Sequence, residues 1–168
     1  EYVDLDSILN ALHEKNEIPF FILLDELTDP HNVGAILRTA DAVGANAMLI
    51  PKRRSCPLTA TVAKTSAGAV EYVPVAHIGN VAQTIKKLKE NGLWIVGLDM
   101  DGEKYYYEAE LKGPLVLVVG SEGEGLSRLT KESCDYLVKI PMRGKINSLN
   151  ASVACSLLLY EAARQRNS

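Results

Sequence analysis

Residues 20–44 read FFILLDELTDPHNVGAILRTADAVG, and this stretch contains the unit from which the whole chain is built. A continuous apolar run is followed by a polar turn with Asp29 and Pro30, and then by a helical pattern that ends at Gly44. Proline is favoured in the first turn of a helix, and glycine just after its last residue. An apolar run without alternation is typical of a strand that is covered on both faces, as in a parallel sheet.

The same alternation of apolar runs and helical patterns continues along the chain. Strands are predicted at residues 20–24, 47–50, 72–75, 94–98, 115–119 and 136–140. Helices are predicted near residues 5–15, 31–43, 58–66, 80–91, 126–133 and 150–166. This pattern predicts an α/β protein with a mostly parallel sheet and helices on both of its faces.

Composition limits the class of protein. The 168 residues are 47% hydrophobic and 23% charged, which is typical of one globular domain with its own core and excludes a disordered or collagen-like chain. The net charge of −3 argues against a broad basic surface for nucleic acid, although it allows a local one. No apolar run approaches the length of a transmembrane helix.

Cysteine and histidine spacing indicates neither a metal site nor a disulfide framework. The cysteines, Cys56, Cys134 and Cys155, are odd in number and form no C-x-x-C pair, so we expect inert thiols in a reducing, cytoplasmic compartment. The three histidines show no ligand spacing either: they are His13, His31 and His77. We therefore predict no metal.

The first unusual strand end is residues 25–41. Asp29 and Asn32 are both good helix caps, so a well-capped helix explains them without any ligand. Arg38 is the single cation in an otherwise small and apolar helical stretch, which predicts an arginine on the buried side with phosphate as a natural partner.

The second and third strand ends carry a glycine-rich turn and a polar helix start. Residues 115–125, LVLVVGSEGEG, predict backbone that approaches a ligand closely, with a plain turn as the alternative. The glycine order matches neither the dinucleotide fingerprint nor a P-loop, which argues against a nucleotide-binding α/β enzyme. In residues 138–156, Ser148 and Asn150 stand before a helix, as site residues or as its caps. That helix, residues 150–166, is apolar nearly all round and predicts a subunit interface.

Taken together and in this order, three segments resemble the motifs of the SpoU (TrmH) family of SPOUT RNA methyltransferases. They are DPHNVGAILRTA at 29–40, VVGSEGEGL at 118–126, and IPM at 140–142 with SLNAS at 148–152. The resemblance covers residues 20–166, with Ala151 where many relatives have valine. Residues 51–74 look most like bacterial 23S rRNA guanosine-2′-O-methyltransferases.

The resemblance implies a SPOUT fold with a deep C-terminal trefoil knot, and S-adenosylmethionine as the cofactor. It implies methyl transfer to a ribose 2′-hydroxyl, with a guanosine of 23S rRNA as the expected target. Cofactor-binding residues mapped from the family are Leu98, Gly120, Ile140, Met142 and Leu149. Catalytic residues mapped in the same way are Asn32, Arg38, Glu122, Ser148 and Asn150. Because a guanidinium hardly deprotonates, we expect Arg38 to anchor phosphate and stabilise an oxyanion rather than act as a base.

The resemblance also implies partners and a domain arrangement. We expect a homodimer through the last helix, and a single catalytic domain over residues 1–168 with a short linker-like arm at about 1–16. Relatives carry an RNA-binding domain ahead of the catalytic one, and we expect such a domain before Glu1. RNA contacts are expected from cations that follow strand ends, namely Lys52, Arg53, Arg54, Arg143 and Lys145. The alternatives are a tRNA 2′-O-methyltransferase and a non-catalytic RNA-binding module.

Three consecutive tyrosines, residues 105–107, lie in the long polar connection at 99–114. Aromatic rings can stack on RNA bases, but we favour an edge strand or a packing role for them.

Overall fold

The chain folds as alternating strands and helices, as predicted. The structure is a computed structural model, and it describes residues 2–53, 56–121 and 124–167. The α-helices in these ranges are α1 (Leu5–Glu14), α2 (Pro30–Val43), α3 (Ala60–Thr65), α4 (Val81–Glu90), α5 (Arg128–Ser133) and α6 (Ala151–Arg166). The strands are β1 (Phe20–Asp25), β2 (Ala47–Pro51), β3 (Val75–Ile78), β4 (Trp94–Leu98), β5 (Lys104–Tyr105), β6 (Leu115–Gly120) and β7 (Tyr136–Lys139).

One parallel sheet holds all the described strands, in the order β3-β2-β1-β6-β4-β7-β5. The chain builds the β1-β2-β3 half first and then crosses to the other side of β1. Since every strand runs the same way, the carboxyl ends of all strands meet at one edge. In open α/β sheets, ligands bind beyond that edge, near the point where the strand order reverses.

Helices cover both faces of the sheet, which confirms the predicted architecture. The β1 side chains alternate: Phe20, Ile22 and Leu24 pack with α2, α3 and α6, whereas Phe21 and Leu23 pack with α1 and α4. This two-sided burial is why the apolar runs do not alternate with polar residues. The C-terminal knot stays a prediction.

The predicted helix signals act as caps. Asp29 accepts a hydrogen bond from the His31 backbone N–H at 2.9 Å and starts α2. Gly44 ends the helix in the left-handed conformation with φ of 79°, which costs glycine little because it has no Cβ.

The strand predicted at residues 72–75 is displaced in the structure. A 3-10 turn occupies Ala69–Glu71, Tyr72 is exposed, and β3 runs over Val75–Ile78 instead. The half-buried His77 interrupts the apolar run of this edge strand, so hydrophobicity alone did not reveal its second half.

The N-terminal segment and the tyrosine segment both belong to the folded domain. Most of the expected N-terminal arm is α1, whose Leu5, Ile8 and Leu12 are buried against the sheet. Of the three tyrosines, Tyr105 ends the edge strand β5, which pairs with β7, as the edge-strand interpretation predicts. Tyr106 and Tyr107 lie in a 3-10 turn instead. Within the ranges the structure describes, no helix is long and apolar enough to cross a membrane.

Candidate functional site

A cavity of about 130 Å³ lies beyond the carboxyl ends of β4, β6 and β7. All five residues that the resemblance maps to the cofactor line it: Leu98, Gly120, Ile140, Met142 and Leu149. Asp99, Ser121 and Ser148 add polar groups to this largely apolar wall. Small-molecule sites typically combine an apolar lining with a few placed polar groups.

The glycine-rich turn folds back on itself beside the cavity. The Gly125 backbone N–H donates to the Ser121 carbonyl at 2.9 Å. A Cβ on Gly120 would collide with the Gly125 carbonyl, so glycine is needed at 120 because its own loop passes so close. Gly125 has φ of 66°, and a Cβ there would collide with the Asp99 carboxylate. The glycine pattern predicts close approach of this backbone to a ligand, and that approach stays a prediction. The contact seen at Gly120 is with its own loop.

Two buried carboxylates hold this loop from the ends of neighbouring strands. Asp99, just after β4, accepts hydrogen bonds from the Leu126 N–H at 3.1 Å and from the Asp101 N–H at 3.0 Å. Asp25, the last residue of β1, accepts from both the backbone N–H and the hydroxyl of Ser127 at 3.1 Å. The far side of the turn is therefore tied to β1 and to β4.

A lysine on α5 places a positive charge beside the Asp99 carboxylate. Lys131 Nζ lies 3.1 Å from Asp101 Oδ2 and 3.6 Å from Asp99 Oδ2. The hydrogen bond to Asp101 and the charge of Asp99 raise the pKa of the Lys131 amine. The lysine therefore stays protonated and balances part of the buried negative charge.

The Arg38 side chain is not buried as predicted. Arg38 lies on α2 as expected, but its side chain is exposed rather than on the buried side, because the buried face of α2 is formed by Val33, Ile36, Leu37 and Ala40. The next residue, Thr39, contacts Ser156 of α6, with 3.0 Å between the hydroxyl oxygens. Arg38 thus stands near the junction of α2 and α6 and is accessible to an external anion.

The other mapped catalytic residues take different positions. Asn32 is buried in the first turn of α2. Ser148 lines the cavity, and Asn150 caps α6, its Oδ1 accepting from the Ser152 N–H at 2.9 Å and the Val153 N–H at 3.3 Å. Glu122 lies outside the described residues. Of the catalytic set, the described cavity lining includes Ser148 and not Asn32, Arg38 or Asn150.

The cysteines lie in the core region, as predicted. Cys56 and Cys155 are buried and Cys134 is partly so, and none forms a disulfide. Burial raises the pKa of the Cys134 and Cys155 thiols to about 12. Such thiols stay protonated at neutral pH and are poor nucleophiles.

Known proteins match this chain over nearly its whole length. The SpoU rRNA Methylase family matches residues 19–160. The chain belongs to this family. The YacO protein of Bacillus subtilis (strain 168), whose name places it in the TrmH family of tRNA/rRNA methyltransferases, is 56% identical over 167 residues, covering 99% of this chain and 67% of YacO.

Solved SpoU structures share the fold. The SpoU methyltransferase AviRb from Streptomyces viridochromogenes superposes with a TM-score of 0.86 at 29% identity, covering 99% of this chain and 65% of that one. The same enzyme in complex with AdoMet gives a TM-score of 0.83 at 31% identity, covering 90% and 60%. This SpoU chain therefore spans about two thirds of the length of these relatives.

Asp25, Asp99 and Ser127 of this SpoU domain are not among the residues that the sequence motifs indicate. The available signal was a carboxylate directly after a buried apolar run, at the end of β1 and again after β4. Such carboxylates reach the open edge of a parallel sheet, where exposed loop N–H groups need acceptors. Among the described residues, no cluster of three or more histidine, cysteine, aspartate or glutamate side chains could hold a metal ion.

Proposed function

We propose that this SpoU domain transfers a methyl group from S-adenosylmethionine to a ribose 2′-hydroxyl of RNA, with a guanosine in 23S rRNA as the target. The observation that carries the proposal is the cavity at the ends of β4, β6 and β7, lined by Leu98, Gly120, Ile140, Met142 and Leu149. Family membership and the AdoMet complex of a structural neighbour support the same cofactor.

The chemistry of the cavity fits this cofactor. Leu98, Ile140 and Leu149 offer apolar surface for the faces of an adenine ring. The polar groups of Ser121 and Ser148 suit a sugar or an amino-acid end. When bound, S-adenosylmethionine supplies an electrophilic methyl group on a positively charged sulfur.

The protein must make a ribose hydroxyl nucleophilic, because this group reacts poorly until its proton is lost. The exposed Arg38 guanidinium anchors the phosphate of the target nucleotide and stabilises the developing oxyanion. The hydroxyl proton passes to solvent water, and the cofactor sulfur keeps the electron pair of the S–CH₃ bond that breaks. The Asn150 Oδ1 already accepts from the start of α6, which leaves its amide N–H₂ as the group offered to RNA. Asn32 and Glu122 keep their mapped roles, the first in positioning Arg38 and the second in catalysis.

A homodimer through α6 belongs to the proposal. The helix buries Cys155, Leu158 and Leu159 in its own domain and leaves Val153, Leu157 and Tyr160 at 49%, 38% and 56% exposure. These three residues are spaced three and four apart, so they share one face of the helix. An apolar stripe of this kind is typical of a surface that meets a partner, here a second copy.

We further propose that residues 1–168 are the catalytic domain of a longer protein with a separate RNA-binding domain. The acidic net charge and the greater length of YacO support this arrangement. Methylation of tRNA is the second candidate, since the name of YacO covers tRNA and rRNA alike. A cytoplasmic location stays a prediction.

The test is methyl transfer from labelled S-adenosylmethionine to a 23S rRNA transcript and, separately, to unmodified tRNA, with the modified nucleotide mapped by its resistance to alkaline cleavage. We expect incorporation at a guanosine ribose of rRNA; label in tRNA alone would favour the second candidate. Absence of both transfer and cofactor binding would refute the proposal.

Arg38→Ala should abolish turnover and leave cofactor affinity unchanged, and Arg38→Lys should fail nearly as far because a point charge cannot replace the planar fork. Arg128→Ala is the matched control, since Arg128 is exposed and pairs with Glu132 on its own helix.

A further inference from the structure

A second, larger cleft opens at the same edge of the sheet as the cofactor cavity. Its volume is about 560 Å³, and it lies beyond the ends of β1 and β2, between the first turns of α4 and α5. It shares no lining residue with the cavity among the residues described. We name it the α4–α5 cleft. Of the described residues that are mapped to the cofactor or to catalysis, none lines it.

Two cations stand at the α4–α5 cleft. Lys52 and Arg53 line it directly after β2, both are exposed, and neither forms an ion pair with another described residue. Burial and the positive charge of Lys52 lower the pKa of the nearby His77, so this histidine is largely neutral at pH 7. Because Lys52 and Arg53 are exposed and form no ion pair with a described residue, both are available to an anion from solution.

Carboxylates also line the cleft, and they limit which ligand it takes. Asp25 is buried and its Oδ2 is bound to Ser127, and Glu26 is half-buried beside it. The buried Asp25 carboxylate would repel a free multivalent anion that entered the cleft. A ligand whose phosphate stays at the two cations and whose uncharged part enters the cleft avoids that repulsion.

The walls of the cleft offer apolar surface to such an uncharged part. Leu129 of α5 is 57% exposed, and Pro51 and Val81 also line the cleft. A flat nucleobase is an uncharged group that packs well on apolar side chains. The combination of a cationic entrance and an apolar wall therefore suits a nucleotide.

The cleft is also within reach of the cofactor cavity. β2 is separated from β6 by β1 alone, which corresponds to about 10 Å at the usual strand spacing of about 4.8 Å. A short single-stranded segment spans this distance.

We propose that the α4–α5 cleft binds an unpaired nucleotide of the RNA substrate that flanks the methylated one. Lys52 and Arg53 contact its phosphate, and the base packs on Leu129. The inference rests on the proposed function, because it assigns the path of the same RNA.

The test measures binding of a fluorescent, mixed-sequence, single-stranded RNA oligonucleotide to the chain over a range of KCl concentrations. Each phosphate contact to a single strand contributes about 0.7 to the slope of log affinity against log salt. Because both side chains contact one phosphate, Lys52→Ala/Arg53→Ala should reduce that slope by about 0.7 and weaken binding most at low salt. Lys15→Ala/Lys86→Ala removes two exposed cations outside the cleft and should leave the slope unchanged.

A second variant tests the wall. Leu129→Asp places a carboxylate where the base packs and should weaken RNA binding, whereas Leu129→Met should retain it. Equal slopes in the two double variants, an unaffected Leu129→Asp, or no binding of the oligonucleotide by the unaltered chain would overturn the assignment of the cleft.

The outcomes separate the two proposals. Methyl transfer with the same KM for RNA in both double variants would refute the cleft and leave the proposed function standing. A slope difference without methyl transfer by the unaltered chain would refute the proposed function and retain the RNA-binding cleft.

Discussion

Replacing Asp99 with asparagine tests whether the buried carboxylate holds the glycine-rich turn. The Asp99 side chain is 2% exposed, and its two oxygens accept from the Leu126 N–H at 3.1 Å and the Asp101 N–H at 3.0 Å. Asparagine keeps one acceptor oxygen and turns an N–H₂ toward the other backbone donor. One charge-assisted hydrogen bond, worth about 1.5–3 kcal/mol, is therefore lost.

We expect Asp99→Asn to lower the free energy of unfolding by about 2 kcal/mol, which corresponds to a fall in melting temperature of about 4–8 °C for a domain of this size. Urea unfolding measures the first quantity and scanning calorimetry the second. Because Asp99 lines the cavity, isothermal titration should also show weaker binding of S-adenosylmethionine.

Asp101→Asn provides the matched control. Asp101 is exposed and its ion pair with Lys131 is a surface contact, so its removal should cost less than about 1 kcal/mol. If Asp99→Asn is as stable as Asp101→Asn and binds the cofactor as well as the unaltered chain, Asp99 does not hold the turn.

Three further predictions concern the loop, the helix and a thiol. Gly120→Ala should abolish cofactor binding because its Cβ collides with the Gly125 carbonyl, whereas Gly79→Ala, which has open space around it, should bind normally in the same titration. Leu157→Glu should yield a folded monomer in sedimentation velocity, whereas Leu158→Glu should fail to fold because it buries a charge in the core. If the unaltered chain sediments as a monomer, the proposed dimer is wrong. Burial raises the pKa of Cys155 from 9.0 to about 12, so the unfolded state loses this proton first and the free energy of unfolding should fall as pH rises from 9.0 toward 12. Cys155→Ala should flatten that fall in urea titrations at several pH values, and an unchanged slope would contradict the assignment.

Local patterns in the sequence determined the secondary structure and the class of fold. Apolar runs without alternation indicated strands buried on both faces, and Asp29 and Gly44 marked the ends of α2, because capping depends on residues only a few positions away. β3 was misplaced because its position depends on pairing with β2, which local hydrophobicity does not encode.

The family motifs indicated which residues meet, since the mapped cofactor residues, distant in sequence, line one cavity. This prediction of the cavity lining came from the family resemblance and not from the physical properties of each segment. The prediction for Arg38 from the local sequence was wrong. A cation within an apolar stretch suggested burial, but the 3.6-residue period of the α-helix places this position on the exposed face of α2.

Only the tertiary structure decided what constrains the site. The partner of Asp25 is Ser127, and that of Asp99 is Leu126, contacts that span 102 and 27 residues of sequence. The need for glycine at 120 arises from the backbone at 125, which returns to it through a fold-back turn. The tertiary structure also decided which apolar residues of α6 are buried, since Leu158 packs against the sheet and Leu157 does not. These properties depend on which elements are neighbours in space, and strand order is set by packing of the whole chain rather than by any one segment.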